Sequence, residues 1–74
     1  MKLGELCDVM NAEMLIKYSY GKKKDLEFWV HEIAYQQKLY RCKDFIDWDV
    51  VGISGYHSEP NTVIVEIVKP ENDE

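Results

Sequence analysis

Two cysteines, two prolines and a single arginine are all that the 74 residues supply of these types, and each scarcity closes off a class of chemistry. Two cysteines make no disulfide framework, and with only two histidines beside them they make no spaced zinc cluster. With Arg41 as the only arginine, bidentate recognition of phosphates or base edges is scarcely available, so direct nucleic-acid binding is not expected. No apolar run approaches the roughly 18 residues of a membrane span, and no signal peptide or lipidation pattern occurs. Glycine-rich dinucleotide and phosphate loops, G-x-S-x-G and H-E-x-x-H are likewise missing. The expectation is a cytoplasmic, non-enzymatic protein with reduced thiols, no cofactor and no membrane association.

What is there describes a globular domain. Hydrophobic residues make up 46% and charged residues 31% of the chain, outside the range of disordered sequences. A chain this short buries only about 60% of the surface its unfolded form exposes, so one thin core is all it can build. Net charge is −5. Glu71, Asp73 and Glu74 carry three of the 14 acids, so residues 1–69 hold 9 − 11 = −2. The expected division is a single domain over residues 1–70 with a flexible acidic tail over 71–74.

Periodicity gives the element order α-β-β-α-β-β. Leu3, Leu6, Cys7 and Met10 form one helical stripe over residues 2–10, closed by Asn11 in a left-handed conformation. Residues 13–20 alternate as a strand, residues 21–25 read as a hairpin connection, and residues 26–30 return with Leu26, Phe28 and Val30 inward. A helix is expected from about His31 to Arg41, with a further turn over 43–47, a single bent helix being the alternative. Two β-branched strands, 48–54 and 62–68, flank a seven-residue loop over 55–61 that contains Pro60. The fold class is therefore α+β: a four-stranded antiparallel sheet with both helices on one face.

Few side chains combine into a site. Cys7 and Cys42 lie on apolar stripes without redox spacing and read as buried, structural and unreactive. His31 or His57 with Asp44, Asp47, Asp49 or Glu59 has no metal-ligand spacing. Lys22-Lys23-Lys24 reads as a solvated hairpin tip. The aromatic residues are more informative, because five Tyr, two Trp and two Phe exceed what a small core can hide. Tyr18, Phe28, Phe45 and Trp48 suit the core, leaving Trp29, Tyr35, Tyr40 and Tyr56 for the surface. With Met14, Ile16, Phe28, Val51, Ile53, Val63, Val65 and Ile67 inward, the opposite sheet face carries Leu15, Lys17, Trp29, Val50, Ile64 and Val68. That face, centred on Trp29, has the composition of an interface centre. Its expected occupant is a protein partner or a second copy in a homodimer.

The opening Met-Lys-Leu-Gly-Glu-Leu-Cys-Asp-Val-Met, the hairpin after it, and Trp48–Ser54 followed by Val63–Ile67 resemble a group of small proteins encoded by phages and prophages of Gram-positive bacteria. The segment Tyr35–Lys43, rich in Tyr and Gln, departs from that group. The resemblance carries over no site residues. It implies a small inhibitor acting by occupancy, by analogy with anti-CRISPR proteins that block a host defence nuclease. Two other functions compete with it. One is an oligomeric binder sequestering a nucleotide signal, with Trp or Tyr stacking the base and Lys22–Lys24 or Arg41 holding phosphate. The other is a structural or assembly subunit.

Overall fold

The computed structural model describes residues 1–70, and the tail expected over 71–74 lies outside them. The elements run α1 (Leu3–Val9), β1 (Glu13–Tyr20), β2 (Lys23–Val30), α2 (Tyr35–Arg41), β3 (Asp49–Gly55) and β4 (Thr62–Val68). The α+β class and the element order follow the sequence. The sheet does not: its strands lie in the order β2-β1-β4-β3, and the central pair, β1 with β4, is parallel. A purely antiparallel sheet is thereby corrected to a mixed one. The physical reason is strand composition. Met14-Leu15-Ile16 and Val63-Ile64-Val65 are apolar on both faces, as strands buried on both sides must be. β2, with Lys23, Lys24, Asp25 and Glu27, and β3, with Gly52, Ser54 and Gly55, suit the edges.

Register fixes which side chains share a face. Phe28, Ile16, Val65 and Ile53 form one row across the sheet, and Val30, Met14, Val63 and Gly55 form another. These rows face the helices. Leu3, Leu6 and Cys7 of α1, together with Cys42 and Trp48, close one core with Met14, Ile16, Val30, Val65 and Ile67. Tyr18, Phe28, Phe45 and Trp48 enter it as an aromatic group: Phe45 lies 4.8 Å from Tyr18, 5.3 Å from Phe28 and 4.9 Å from Trp48.

β3 required a correction. Val50 pairs with Ile67 and Gly52 with Glu66, so Val51 is the extra residue of a bulge. Val50 therefore packs on the core, whereas Val51 is 60% exposed, the reverse of the expected assignment. Ile53 does face the helix side, level with Val65, yet it is 50% exposed at the sheet edge. Trp48 precedes the strand and is buried.

The connections are tighter than composition suggested. The first hairpin turns on Gly21-Lys22 alone, so Lys23 and Lys24 belong to β2. Gly21 takes φ +61°, which a residue without Cβ adopts at no cost, and Asp25 takes φ 57° where β2 holds one more residue than β1. α1 is anchored by the Lys2 amide donating to the Glu5 carboxylate at 2.8 Å. It ends as Met10 turns extended, so Asn11 supplies no left-handed cap. α2 is shorter than the expected 31–41, because residues 31–34 stay non-helical and its first turn starts at Tyr35. The β3–β4 loop is six residues, 56–61.

The bulge yields a direct test of register. Val50→Asp should cost at least about 2 kcal/mol of unfolding free energy by placing a carboxylate against the core. Val51→Asp should stay within about 1 kcal/mol. Chemical denaturation of both variants checks this, and equal costs would return β3 to the unbulged register.

Candidate functional site

Two regions gather chemistry, one on each side of the sheet. On the outer face Leu15 stands directly between Trp29 of β2 and Ile64 of β4. Trp29 stacks on His31, with ring centres 5.4 Å apart and 3° between planes, and meets Tyr56 edge-on at 5.6 Å. Tyr56 follows Gly55 directly, and its amide donates to the Thr62 carbonyl at 3.3 Å, which carries the β3–β4 register one residue further and turns the ring to this face. His31 Nδ1 lies 2.7 Å from Glu13 Oε1 and fixes the margin of the group.

The structure brings together four of the seven interface candidates, Trp29, Leu15, Ile64 and Tyr56. Leu15 plays a different part from the one expected. It is 4% exposed, the buried floor under the aromatic rings, and makes no surface of its own. Trp29 and Tyr56 are half-buried. Lys17 sits on the same face one row further along, level with Glu27 and Glu66 on either side. Tyr35 and Tyr40 belong to α2, on the other side of the sheet; both are exposed, Tyr40 at 74%. His31, which completes the aromatic group, was missed as a partner of Trp29. Two residues apart on an extended chain, their side chains fall on the same side.

The second region is inside. Cys7 of α1 and Cys42 at the end of α2 are both free thiols buried in the same core. Beside them lies Lys38, a charged residue with no exposed surface, its ammonium donating to the Met10 carbonyl at the end of α1. The hydrogen bond from Cys42, aided by the Lys38 charge, holds the Cys7 thiol below its ordinary value in spite of burial. The same bond, with burial and the Cys7 charge, pushes Cys42 far up. Burial lowers Lys38, and the two sulfurs oppose that fall. Glu32 Oε1 is also buried and has no hydrogen-bond partner among the described residues.

Lys38 was invisible in the sequence because a lysine in a helix reads as a solvent-facing residue. Here its stem fills the place of an apolar side chain while its head finds a carbonyl. Among the described residues no three His, Cys, Asp or Glu side chains come together as a metal site, and Asp49 is paired with Lys2 at 2.9 Å. No helix among them is long and apolar enough to cross a membrane. No protein-family model, curated protein or solved structure matches the chain.

The buried ammonium fixes a pH dependence. Between the lowered value of Lys38 and the ordinary lysine value of about 10.4, the unfolded chain binds more protons than the folded one, so stability rises with pH across that window. Cys7, also lowered, adds the same sign below the ordinary thiol value, whereas Cys42, raised, opposes it above that value. Measured against Lys38→Met, which has no ammonium, wild-type stability should gain steadily as pH climbs towards about 10.4. A difference between the two proteins that is flat with pH would remove the buried charge from the account.

Proposed function

We propose that this protein is a non-enzymatic binding protein that acts by occupying a protein partner through the outer face around Trp29. The observation that carries the reading is the Trp29–His31–Tyr56 group seated on buried Leu15, on the side of the sheet opposite the core. Aromatic side chains held rigid by their neighbours lose little freedom on association, and a half-buried Trp in a polar margin has the make-up of a binding hot spot. Glu13 and Lys17 supply that margin. The resemblance to phage-encoded proteins makes a host defence effector, such as a nuclease, the class of partner to test first. Homodimerisation through the same face is the competing use of this surface.

The test compares matched baits. Wild type and Tyr40→Glu, altered on exposed α2, should retain the same effector from a bacterial lysate, and Trp29→Glu should lose it at least tenfold while keeping a cooperative thermal transition. Retention by Trp29→Glu would move the contact elsewhere. Sedimentation of the three proteins alone separates the homodimer: a dimer present in wild type and absent in Trp29→Glu assigns the face to a second copy.

A second reading rests on a different place. A groove of about 560 Å³ opens at the turn end of the first hairpin, lined by Tyr18, Tyr20, Leu26, Phe45 and Trp48, with Lys23 and Lys69 and one carboxylate, Asp44. Its volume falls in the range of small-ligand sites, and aromatic rings beside ammonium groups suit a planar, anionic molecule such as a nucleotide. Trp29 is six residues from Lys23 along β2, roughly 20 Å, so Trp29 and that lysine do not serve one nucleotide together. Arg41 is engaged over the Phe28 ring at 5.1 Å. If the groove binds nucleotides, millimolar nucleoside monophosphate raises the melting temperature of wild type and leaves Lys23→Glu unchanged. An absence of any shift in wild type ends the nucleotide reading.

A further inference from the structure

The two edges of the sheet are treated differently. β2 carries Lys23, Lys24, Asp25 and Glu27 along one edge, a charged composition that discourages a further strand. β3 forms the other edge and is covered at its start only. There Lys2 bridges Asp49, the Leu3 amide donates to the Trp48 carbonyl, and the Val50 amide donates to the Met1 carbonyl. After the bulge at Val51 come Gly52-Ile53-Ser54-Gly55-Tyr56, without charge or proline. Among the described residues no strand lies beside them on the side away from β4.

The ladder fixes which groups this stretch leaves open. Opposed residues of an antiparallel pair alternate between those that exchange hydrogen bonds and those that do not. The Tyr56 amide donates to Thr62, so Tyr56, Ser54 and Gly52 bond to β4, and Ile53 and Gly55 turn their N–H and C=O groups outward. The side chains follow the same division. Ile53 and Gly55 both lie on the helix side of the sheet, level with Val65 and Val63. Ile53 is 50% exposed, whereas a Cβ placed on Gly55 would meet no described residue within 4 Å beyond its chain neighbours.

We propose that two copies of this protein associate by antiparallel pairing of residues 52–56 about a two-fold axis at Ser54, joining their sheets into one. In this register each Ile53 exchanges its outward hydrogen bonds with the partner's Gly55. The exposed isoleucine packs over a position that has no side chain, and no like charges oppose one another. A two-fold contact requires a strand that fits its own reversed copy. Residues 52–56 meet that requirement, which favours a second copy over a foreign strand. A register centred on Ile53 would instead set Tyr56 opposite Val50, where Met1 already lies. The contact is small, so the dimer is a weak one that forms at high concentration.

Sedimentation equilibrium from about 10 μM to about 1 mM, the range suited to so small a contact, should show monomer giving way to dimer. Over the same range the amides of Ile53 and Gly55 should exchange with deuterium at least about threefold more slowly, while that of Ser54, bonded within the chain, stays unchanged. Ile53→Lys should raise the dissociation constant at least about tenfold, and Tyr40→Lys, adding the same charge on exposed α2, should dimerise as wild type does. The proposal is overturned by a wild type that is monomeric at about 1 mM or by species larger than a dimer. It is equally overturned by a dimer that survives Ile53→Lys, or by one whose Ile53 and Gly55 amides exchange as fast as the monomer's. A dimer lost in Trp29→Glu and kept in Ile53→Lys belongs to the outer face and overturns it too. The exchange measurement uses wild type alone, so a variant that fails to fold cannot obscure the result.

Discussion

The parallel pairing of β1 with β4 is the constraint on which the rest of this structure depends. Glu13 pairs with Thr62 and Lys17 with Glu66, so each contact spans 49 positions of chain. Nothing local can form it. The first hairpin and α2 must be laid down between the two strands, and the second hairpin must turn back to bring β4 alongside β1. With those two apolar strands in the middle, one hairpin partner goes to each edge and the helices close over the face that Met14, Ile16 and Val65 present. Long-range parallel pairing of this kind demands loop closure before its contacts return any stabilisation.

How far the sequence carries can be followed residue by residue. β1 and β4 were legible to the residue because both combine β-branched or apolar runs with clear boundaries at Asn11-Ala12 and Pro70. The partner of β1 was not, since neighbouring hairpins suggest antiparallel neighbours, and only the double-sided apolarity of both strands distinguishes the centre of the sheet from its edges. Val50 and Val51 show a finer limit. Two adjacent valines carry no signal of face, and a single bulge decides which one meets the core. Of the candidate surface, the shared face of Leu15, Trp29 and Ile64 is readable from alternation, whereas Tyr56, expected in the loop, joins it because the β3–β4 pairing runs one residue further. The thiol–ammonium cluster was beyond reach, because a helix packed on a helix sets it and no spacing within either helix announces it.

The sheet separates two kinds of chemistry. Its outer side offers aromatic rings with a charged margin, suited to contact with another molecule. Its inner side hides two thiols and an ammonium group beneath the helical layer. Recognition on the outer face can evolve by changes at Trp29, His31 or Tyr56 without altering the core rows, since alternate residues of a strand answer to different surroundings. The helical layer is less free, because Lys38 is tied to the Met10 carbonyl and both cysteines are packed in the core.

The two tryptophans fall on opposite sides of this division. Trp48 is buried against Tyr18 and Phe45, and Trp29 is half-buried against His31 and Tyr56. Each indole is thus a separate optical reporter. Emission from Trp48 registers the integrity of the aromatic core, and emission from Trp29 registers events at the outer face, with the four-stranded sheet standing between them. A protein of 74 residues thereby carries, without any added label, two native chromophores whose signals divide the state of the fold from the state of its surface.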